Sequence, residues 1–549
     1  MRATEVLVIG AGPAGLTMAN ILARQGVPFR IIDKKGGPVR ESRALVMHAK
    51  TLELLDRLGL ADRAVKWGQR MGAIQVFGEG RPAGEISFFD ADADDRTPYP
   101  FALVLEQDRT ERLLIGGLEE AGGGVEWETE LVSLAATSDG VRATVKSGDG
   151  EEETVEVGWV VGADGAGSPV RHYLGLGFEG DTYEQQLFLA DVEMDWAHGS
   201  RQVSIDITRA GFYAFFPMPG ERRFRLIGGV PEELEGKEHI TAEDVQRVLD
   251  RHSGWKTRIT GVNWSSVYRT HRRMTERFRV GRVFLVGDAA HIHSPAGGQG
   301  MNTGIGDAYN LGWKLALVAK GLARASLLDS YEPERMPFAR SILNGTDRAF
   351  LLQVTTDTAA QRLKILFTPL LFRIASMLPP IRRRAFWFVS QLWTDYRDSP
   401  AVARSGPAGE GPQPGERAPY GFLATGGDAG RSIFEEIHGL DHDLLLFEGG
   451  GSDTGLPDPA RTGEDLQALA GAYGAPIRLH VIAPGNRSLH ERYGVEAPTL
   501  VLVRPDGHIA YRGPAGDLDG LAAYLDRYFV GPQGREEVRR TSKGAARVR

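Results

Sequence analysis

The feature that most constrains the fold is a short apolar segment followed by three closely spaced glycines. Residues 5–9, EVLVI, are a continuous apolar run that predicts a buried strand. Gly10, Gly12 and Gly15 follow in the pattern G-x-G-x-x-G and open a helical segment. In such a turn the first glycine permits the tight bend, the second lets backbone approach a pyrophosphate, and the third lets the helix pack on the strand. The helix N-terminus then directs its N–H groups at the anion.

A second apolar strand follows this helix and ends in an acid. The segment FRIID ends at Asp33, 18 residues after Gly15. An acid at this place accepts a hydrogen bond from a ribose 2′-hydroxyl, which a 2′-phosphate would prevent. The first strands therefore predict an α/β dinucleotide-binding unit for FAD or NAD rather than NADP.

Composition narrows the chemistry that such a site can serve. The 549 residues include no cysteine, which excludes disulfides and dithiol relays, so redox chemistry requires a bound cofactor. The net charge of −8 argues against a nucleic-acid partner. The N-terminus lacks the pattern of a signal peptide, and Pro369 and Arg373 interrupt the apolar stretch 363–381. We therefore expect no membrane span and a cytoplasmic location.

Two later segments repeat the pattern of a strand that ends in a turn of glycine and aspartate. In residues 158–175, GWVVGADGAGSPVRHYLG, the strand ends just before Asp164. In residues 287–304, GDAAHIHSPAGGQGMNTG, a turn with Asp288 and several glycines follows the apolar run RVFLV. Bare glycine backbone suits the close approach of a flat ligand.

Together the three motifs resemble those of the single-component FAD-dependent aromatic hydroxylases, the phenol and para-hydroxybenzoate hydroxylase superfamily. They are most similar to the branch that acts on polyketide aromatics, and the resemblance extends over residues 4–340. It implies an α/β fold, in which a Rossmann-like FAD-binding domain carries an inserted β-sheet substrate domain and a C-terminal thioredoxin-like domain. The expected segments are the FAD-binding domain (1–175, and 276–400 with a helical region), the substrate-binding sheet (176–275), a linker (401–415), the thioredoxin-like domain (416–530) and a disordered tail (531–549).

The resemblance also implies which residues hold FAD. Asp288 would accept a hydrogen bond from a ribityl hydroxyl, and the glycines after it would leave room for the edge of the isoalloxazine ring. The helix that begins near Met301 would direct its N-terminus at the pyrimidine end of that ring, where reduced flavin carries negative charge. The expected FAD contacts are Gly10, Gly12, Pro13, Ala14, Gly15, Asp33, Lys34, Arg43, Gln107, Asp164, Asp288, Pro295, Gly298, Gly300, Met301 and Asn302.

Arg43 and Pro295 are the expected catalytic residues. By resemblance, Arg43 lies beside the flavin and assists the oxygenated intermediate, and the carbonyl of Pro295 lies near the substrate. Phenol hydroxylase has an acid near Arg43 that activates the phenol, but Leu45 stands at the corresponding position here. The substrate therefore arrives activated, or another group deprotonates it. Lys50 stands where the family commonly has arginine.

The substrate domain is expected to line the pocket with aromatic side chains. Residues 202–230 alternate in strand fashion, and the resemblance implies a sheet that roofs the flavin. Phe212, Tyr213, Phe215 and Phe216 are the candidates, although most aromatic residues in a strand belong to the core. From these we select Tyr213 and Phe215 as substrate-binding residues.

We expect no metal site. His291 and His293 have the spacing of two ligands, but no third ligand is evident nearby, so His291 is interpreted as packing under the flavin-binding loop. Residues 90–95, DADADD, begin like a calcium loop, but the sixth position is Asp95 rather than glycine and the twelfth is Phe101 rather than glutamate.

The C-terminal third predicts a small α/β unit after a linker rich in glycine and proline. A hairpin is expected at Pro505, Asp506 and Gly507, followed by a strand and a closing helix. A working thioredoxin requires C-x-x-C, which this chain lacks, so the domain is expected to be structural, serving stability or dimerisation. The protein is expected to be a monomer or a homodimer.

The sequence as a whole predicts an FAD-dependent monooxygenase that uses NADPH or NADH and O2 to hydroxylate a small phenolic or polyketide aromatic through a flavin hydroperoxide. The cofactor carries that chemistry, and the protein positions the ring and excludes water. Baeyer–Villiger oxygen insertion is an open alternative, because the motifs do not separate it from hydroxylation. A catalytically silent FAD-fold protein that binds an aromatic ligand is the alternative from another class.

Overall fold

The computed structural model describes residues 4–39, 44–86, 95–196, 202–209, 211–237, 239–294, 296–354, 374, 378–406, 410–424, 430–449 and 459–531. Its strands are β1 (Val6–Ile9), β2 (Phe29–Ile32), β3 (Val46–Met47), β4 (Gln69–Met71), β5 (Ala73–Gly78), β6 (Arg81–Ile86), β7 (Ala102–Val104), β8 (Glu130–Ala136), β9 (Val141–Lys146), β10 (Glu152–Val157), β11 (Trp159–Gly162), β12 (Glu179–Asp195), β13 (Gln202–Thr208), β14 (Gly211–Pro217), β15 (Arg223–Gly229), β16 (Arg258–Met274), β17 (Arg279–Val280), β18 (Val283–Leu285), β19 (His291–Ile292), β20 (Ala403–Arg404), β21 (His442–Phe447), β22 (Ile477–Ile482), β23 (Thr499–Val503) and β24 (Ile509–Pro514).

The helices lie between groups of strands, and the chain has the mixed composition expected for an α/β protein. They are α1 (Pro13–Arg24), α2 (Ala49–Asp56), α3 (Ala61–Trp67), α4 (Gln107–Glu120), α5 (Pro169–Tyr173), α6 (Ala242–His252), α7 (Gln299–Ala319), α8 (Tyr331–Val354), α9 (Pro379–Val389), α10 (Ile433–Glu436), α11 (Pro459–Ala472), α12 (Arg487–Arg492) and α13 (Leu518–Tyr528).

The three strands that end in glycine turns lie side by side in one sheet. Its order is β17-β18-β11-β1-β2, and the last four strands run parallel. All four residues of β1 are buried, because α1 and α7 pack together in the same core as the strand. Parallel strands place their carboxyl ends at one edge of a sheet, so the three glycine turns meet there, as the Rossmann-like prediction requires.

An eight-stranded sheet forms the second layer and draws in strands from outside residues 176–275. Its order is β19-β16-β12-β15-β14-β13-β5-β6. The segment 73–86, which we had assigned to the FAD-binding domain, supplies β5 and β6, and β5 pairs parallel with β13. Helix α6 covers one face of this sheet, with Val245, Val248 and Leu249 in a core of aromatic residues.

The C-terminal unit is a five-stranded sheet of order β20-β24-β23-β21-β22 with helices packed against it. The predicted hairpin is present, since β23 and β24 are antiparallel and the left-handed Gly507 (φ +80°) lies in the turn between them. The predicted linker 401–415 is not wholly a linker, because Ala403 and Arg404 form β20 against β24.

The C-terminal unit packs directly on α7 and α8 of the FAD-binding domain. Trp313 and Leu317 of α7 share an apolar core with β21, β23 and α13. At the centre of this boundary lies the buried carboxylate of Glu334, which accepts hydrogen bonds from both terminal nitrogens of Arg504 at 2.8 Å and from Lys314 Nζ at 2.7 Å. Burial alone would raise the pKa of Glu334, but the two cations outweigh it and lower the pKa to about 2.

The Glu334 carboxylate is expected to link the stability of this boundary to pH. A carboxyl group with a folded-state pKa below its unfolded value of 4.5 stabilises the protein above pH 4.5, and this contribution is lost as the pH falls from 4.5 toward 2. Removing one partner of a buried ion pair costs about 3–5 kcal/mol. Glu334→Gln should therefore lower the thermal unfolding midpoint by several degrees at pH 7, measured by calorimetry or circular dichroism.

The difference in midpoint between wild type and Glu334→Gln should narrow as the pH falls below 4.5. Glu156→Gln is the matched control, because Glu156 pairs with Arg142 in an ion pair that is more than half exposed on both sides. Exposed pairs contribute little, so the control should match wild type at every pH. A difference between wild type and Glu334→Gln that stayed constant down to pH 3 would contradict the assignment.

Candidate active site

The turn after β1 depends on two glycines that allow very close backbone contacts. Gly10 has the left-handed φ of +103°, and a side chain there would overlap the backbone of Ala163 and Asp164. A side chain at Gly15 would overlap the carbonyl oxygen of Gly10. The first motif is thus packed against the second, and both positions exclude any residue larger than glycine.

Gly12 differs from its neighbours because it faces open space. Its φ of −80° suits any residue, and among the described residues no atom beyond its chain neighbours lies within 4 Å of the position of a Cβ. Pro13 is the first residue of α1, and Gly12, Pro13 and Ala14 are all partly exposed. The N–H groups of this helix N-terminus and the bare backbone at Gly12 form a cradle that fits a pyrophosphate.

Asp33 lies beside this cradle at the end of β2. Its carboxylate accepts hydrogen bonds from Ala11 N at 2.7 Å and Lys35 N at 2.9 Å, and it is 7 % exposed. The neighbouring Lys34 is exposed. The Ala11 bond holds the Asp33 carboxylate against the glycine turn, where a ribose hydroxyl would meet it.

The second motif uses its own polar groups to build its turn. Asp164 accepts hydrogen bonds from Ser168 Oγ at 2.6 Å and Val170 N at 2.9 Å, so both carboxylate oxygens are engaged at the N-terminus of α5. Arg171 donates to Ala166 O at 2.7 Å and to Ala289 O at 2.9 Å. Asp164, a predicted FAD contact, therefore shapes its own turn, and Arg171 joins the second motif to the third.

Asp288 lies at the mouth of the third turn. It is exposed, while Gly287 and Ala289 on either side are buried. Gly287 has a left-handed φ of +59°, and a Cβ there would lie 3.4 Å from Ala14 Cβ and 3.5 Å from Gly304 Cα. This turn therefore lies between the N-terminal ends of α1 and α7, which is the place expected for a group that binds the ribityl chain.

A buried acid holds this turn from below. Asp307 Oδ2 accepts hydrogen bonds from His291 Nε2 at 2.7 Å and Gly287 N at 3.1 Å, and Oδ1 accepts from Arg335 Nε at 2.7 Å. Burial alone would raise the pKa of Asp307, but Arg335 and His291 outweigh it and lower it. His291 has the packing role that we expected under the flavin-binding loop, and no group of three potential metal ligands occurs among the described residues.

Asn302 fixes the N-terminus of α7. It donates to Val46 O and Gly298 O, both at 2.8 Å, and accepts from His48 N at 2.9 Å and Thr51 Oγ1 at 2.6 Å. This predicted FAD contact therefore holds the α7 N-terminus against the segment 46–51. Gly300 and the partly buried Met301 lie in the first turn of the same helix.

His48 was not singled out from the sequence and contacts the loop directly. Its Nε2 lies 2.9 Å from Gly297 O, and burial lowers its pKa to about 4, so the neutral ring donates this bond. Gly297 and Gly298 both have left-handed φ angles, +76° and +62°. The carbonyl of Gly297 is thus fixed, and the backbone of both glycines carries no side chain toward a ligand.

Two side chains of α4 bracket the segment that contains Arg43. Gln107 accepts a hydrogen bond from Ala44 N at 3.2 Å, and Glu111 accepts one from Val39 N at 2.8 Å. Gln107 also donates to Glu111 at 3.0 Å. Gln107, predicted to reach the ribityl chain, therefore anchors the flanks of the segment 40–43 together with Glu111. Arg43 itself lies outside the described residues, as does Pro295.

The alternation of β14 separates its aromatic residues between two faces. Tyr213 and Phe215 are 1 % and 0 % exposed and belong to the core beneath α6, where the Phe215 ring lies 4.9 Å from that of Trp255. Phe212 and the partly exposed Phe216 lie on the opposite face. The structure thus places both predicted substrate-binding residues in the core, since successive strand residues point to opposite faces.

Leu45 does not lie in the surroundings of a catalytic acid, and Lys50 does not point toward the expected flavin site. Leu45 is buried in an apolar cluster with Val46, Val104 and Met218, so no base stands at that place. Lys50 Nζ donates to the carbonyl of Asp506 at 2.9 Å and therefore points toward the C-terminal unit. Burial lowers the pKa of Lys50 to about 8.

Comparison with known proteins gives the same cofactor. Residues 3–346 match the family model of an FAD binding domain, and residues 411–532 match that of the C-terminal domain of aromatic-ring hydroxylases. The chain is similar to 6-methylpretetramide 4-monooxygenase of Streptomyces rimosus, with 33 % identity over 96 % of this chain and 94 % of the relative. It is also 34 % identical to the 12-dehydrotetracycline 5-monooxygenase/anhydrotetracycline 6-monooxygenase of the same species, over 96 % of this chain and 99 % of that protein.

Solved structures share the fold over nearly the whole chain. The flavin-dependent monooxygenase PieE, in complex with FAD and substrate, has a TM-score of 0.79 and 25 % identity, over 95 % of this chain and 98 % of that one. Aklavinone-11 hydroxylase, in a ternary complex with FAD and aklavinone, has a TM-score of 0.75 and 27 % identity, over 96 % of this chain and 99 % of that one.

The open cradle at Gly12, the acid at Asp33 and the glycine-rich third turn form a dinucleotide site, and the match to an FAD binding domain identifies the protein as a flavoprotein. The chain belongs to the family of FAD-dependent aromatic-ring hydroxylases and is an FAD-dependent aromatic monooxygenase. Within the part of the chain that the structure describes, no helix has both the length and the apolar character needed to cross a membrane.

Alanine substitutions at Gly12 and Gly15 should have different effects, one on FAD affinity and the other on stability. Gly12→Ala has space for its methyl group, so the protein should fold normally, but the methyl group occupies the cradle and should weaken FAD binding at least tenfold. Gly15→Ala collides with Gly10 and should lower the unfolding midpoint of the apoprotein sharply. FAD fluorescence titration and thermal unfolding of the apoprotein measure the two effects.

Gly26→Ala offers a control, because Gly26 has open space around it and lies at the far end of α1. Its left-handed φ of +65° predicts a modest loss of stability without an effect on FAD affinity. Unchanged FAD affinity in Gly12→Ala would contradict the cradle.

Proposed function

We propose that this enzyme hydroxylates a phenolic or polyketide aromatic, with NADPH or NADH as the electron donor and O2 as the oxygen source. In this proposal the bound FAD would supply the redox chemistry: it would accept a hydride from NADPH or NADH and, as a flavin hydroperoxide formed with O2, would transfer one oxygen atom to the electron-rich ring while the other oxygen left as water. The protein binds and orients the ring, excludes water and holds the FAD loop. It acts as a monomer or a homodimer.

The observation that carries the proposal is an apolar, aromatic face on the eight-stranded sheet. Phe216 and Ile205 belong to two neighbouring clusters, one with Leu45 and Val104 and one with Phe212. The first cluster includes strands β3 and β7, and β3 directly precedes His48, which holds Gly297. The face therefore contacts β3, and β3 leads directly to the histidine that holds the proposed flavin loop. A substrate ring bound on this face would lie next to the flavin.

The composition of this face supports a flat substrate with a mostly apolar ring system. Its second cluster adds side chains that are all partly buried: Tyr183, Ile205, Phe216, Ile227 and Tyr268. On the same face Arg225 and Asp191 form a two-bond ion pair at 2.6 and 2.8 Å, so each neutralises the charge of the other. Aromatic side chains provide large contact area to a polycyclic ring, with offset or edge-to-face geometry.

The relatives favour a polyketide among the aromatic substrates. One relative is named for 6-methylpretetramide, another is named for 12-dehydrotetracycline and anhydrotetracycline, and one solved structure contains aklavinone. These names belong to monooxygenases, and they do not favour a silent binder or Baeyer–Villiger insertion for this chain. Because Leu45 leaves no acid at the position used by phenol hydroxylase, the proposed substrate arrives activated or is deprotonated by another group.

Consumption of NADPH and NADH by the FAD-loaded enzyme tests the proposal. The panel should contain simple phenols, anthraquinones and tetracyclic polyketide phenols, with products identified by mass spectrometry and NMR. We expect one polycyclic phenol to accelerate NAD(P)H oxidation and to gain one oxygen atom on a ring carbon. A lactone or ester product would establish Baeyer–Villiger insertion. Flavin that stays oxidised with every compound would contradict the proposal.

Phe216 and Phe215 form a matched pair for locating the substrate. Phe216→Leu removes aromatic surface from the proposed substrate face and should raise KM about tenfold, the order expected for a lost aromatic contact of about 1–1.5 kcal/mol. Phe215→Leu changes the core under α6 and should lower the unfolding midpoint while KM stays constant. Steady-state kinetics and thermal unfolding separate the two; the opposite assignment of effects would place the substrate on the α6 side.

A further inference from the structure

We propose that the C-terminal domain positions the FAD-binding loop through a buried chain of contacts, called here the hairpin relay and formed by Asp506, His508, Tyr396, Arg335 and Asp307. This role goes beyond the proposed reaction, because it gives the cysteine-free domain a part in holding the cofactor. The relay starts in the turn between β23 and β24 and ends at Gly287 N, next to Asp288.

The turn at the start of the relay is buried, although turns rich in charged residues ordinarily lie at the surface. Arg504, Asp506 and His508 are 0 %, 3 % and 1 % exposed. Arg504 binds Glu334 of α8, and Asp506 accepts a hydrogen bond from the indole nitrogen of Trp313 of α7 at 3.3 Å. The turn is therefore inserted between the two helices of the FAD-binding domain.

The relay leaves the turn through an aromatic contact. His508 Nδ1 lies 3.3 Å from Asp506 Oδ1, and the His508 ring lies 4.4 Å from the ring of Tyr396. The hydroxyl of Tyr396 then accepts a hydrogen bond from Arg335 at 2.9 Å. Tyr396 thus connects the two sides, because its ring contacts the C-terminal hairpin and its hydroxyl binds an arginine of α8.

Arg335 completes the relay at the loop. Its Nε donates to Asp307 Oδ1 at 2.7 Å, and Asp307 Oδ2 accepts the N–H of Gly287 at 3.1 Å. Arg335 also donates to Thr303 O of α7 at 3.2 Å. Each of the five relay residues is less than 5 % exposed, so the relay is shielded from bulk water and a displacement of one residue is passed to the next.

The same hairpin contacts the other side of the loop through Lys50. Lys50 Nζ donates to Asp506 O at 2.9 Å, and the next residue, Thr51, donates to Asn302 Oδ1 at 2.6 Å. Asn302 lies in the first turn of α7. The hairpin is therefore connected both to Gly287, where the loop begins, and to the helix N-terminus, where it ends.

A second ion pair across the same boundary provides the control. Arg417 of the C-terminal domain makes a two-bond contact with Glu53 of α2, and one of these bonds measures 2.9 Å. Both side chains are 6 % exposed, and Glu53 accepts a further hydrogen bond from Thr97 Oγ1 at 2.7 Å. The backbone of Arg417 pairs with that of His508, so the control changes only the side chain of Arg417. Loss of this side-chain pair should weaken the boundary while the hydrogen bonds of the relay remain in place.

Tyr396→Phe tests the relay with a minimal change. It keeps the ring against His508 and removes the acceptor of Arg335. We expect FAD to bind about tenfold more weakly, in the range measured for substitutions along coupled contacts, and the visible spectrum of bound FAD to shift. Asp506→Asn should act in the same direction, and the double variant should bind FAD little more weakly than either single variant.

Arg417→Met should lower the unfolding midpoint at least as much as Tyr396→Phe, while its FAD affinity stays within about twofold of wild type. If Arg417→Met does not fold, Arg417→Lys takes its place. Wild-type FAD affinity in Tyr396→Phe, or FAD loss in both variants in proportion to the loss of stability, would overturn the relay. FAD titration uses neither substrate nor NAD(P)H, so failure of the proposed reaction would leave this result unaffected.

Discussion

The structure depends first on the contact between the backbone of Gly10 and that of Ala163, with Gly15 packed against both residues. No side chain fits at either glycine, so the backbone at the ends of β1 and β11 and at the start of α1 lies at a short, fixed distance. That distance determines where the open backbone of Gly12 lies. It also determines where Gly287 of the third turn meets Ala14. A site for a dinucleotide thus follows from steric exclusion at two positions, before any polar contact is made.

Buried charges add a second level of order. Asp307 has three donors, and Glu334 has Arg504, Lys314, Asn310 and Ser399 around its carboxylate. A buried carboxylate held by several donors tolerates little displacement, because a lost bond removes part of the compensation of its charge. The flavin-binding turn and the domain boundary are therefore held by directional contacts in a way that apolar packing alone would not provide.

Local patterns in the sequence predicted parts of the fold, whereas contacts between residues far apart in the chain could not be predicted. The three glycine turns and the hairpin at Asp506 were predictable because each has a local signal, a group of glycine, proline or aspartate residues next to an apolar run. The partner of His291, Asp307, lies 16 residues further along the chain and has no such signal. The pairing of β5 with β13 was not, since more than 100 residues separate them and parallel pairing has no turn signal. Tyr213 and Phe215 were chosen over Phe212 and Phe216 because the sequence shows the alternation of a strand but not which face meets the cofactor. Lys50 was interpreted only from its position in a motif, and the sequence did not show that its side chain reaches the C-terminal domain.

The two faces of β14 have a consequence for how such an enzyme diversifies. On one face Tyr213, Phe215 and Trp255 lock the strand to α6, and on the other Phe212 and Phe216 face a cluster that remains partly open. Adjacent residues of one strand thus carry separate tasks, one thermodynamic and one selective. Side chains on the face of Phe212 and Phe216 can therefore change to fit a ring of another shape, while the face of Tyr213 and Phe215 keeps the strand attached to α6. In this architecture a change of substrate does not require a loss of stability.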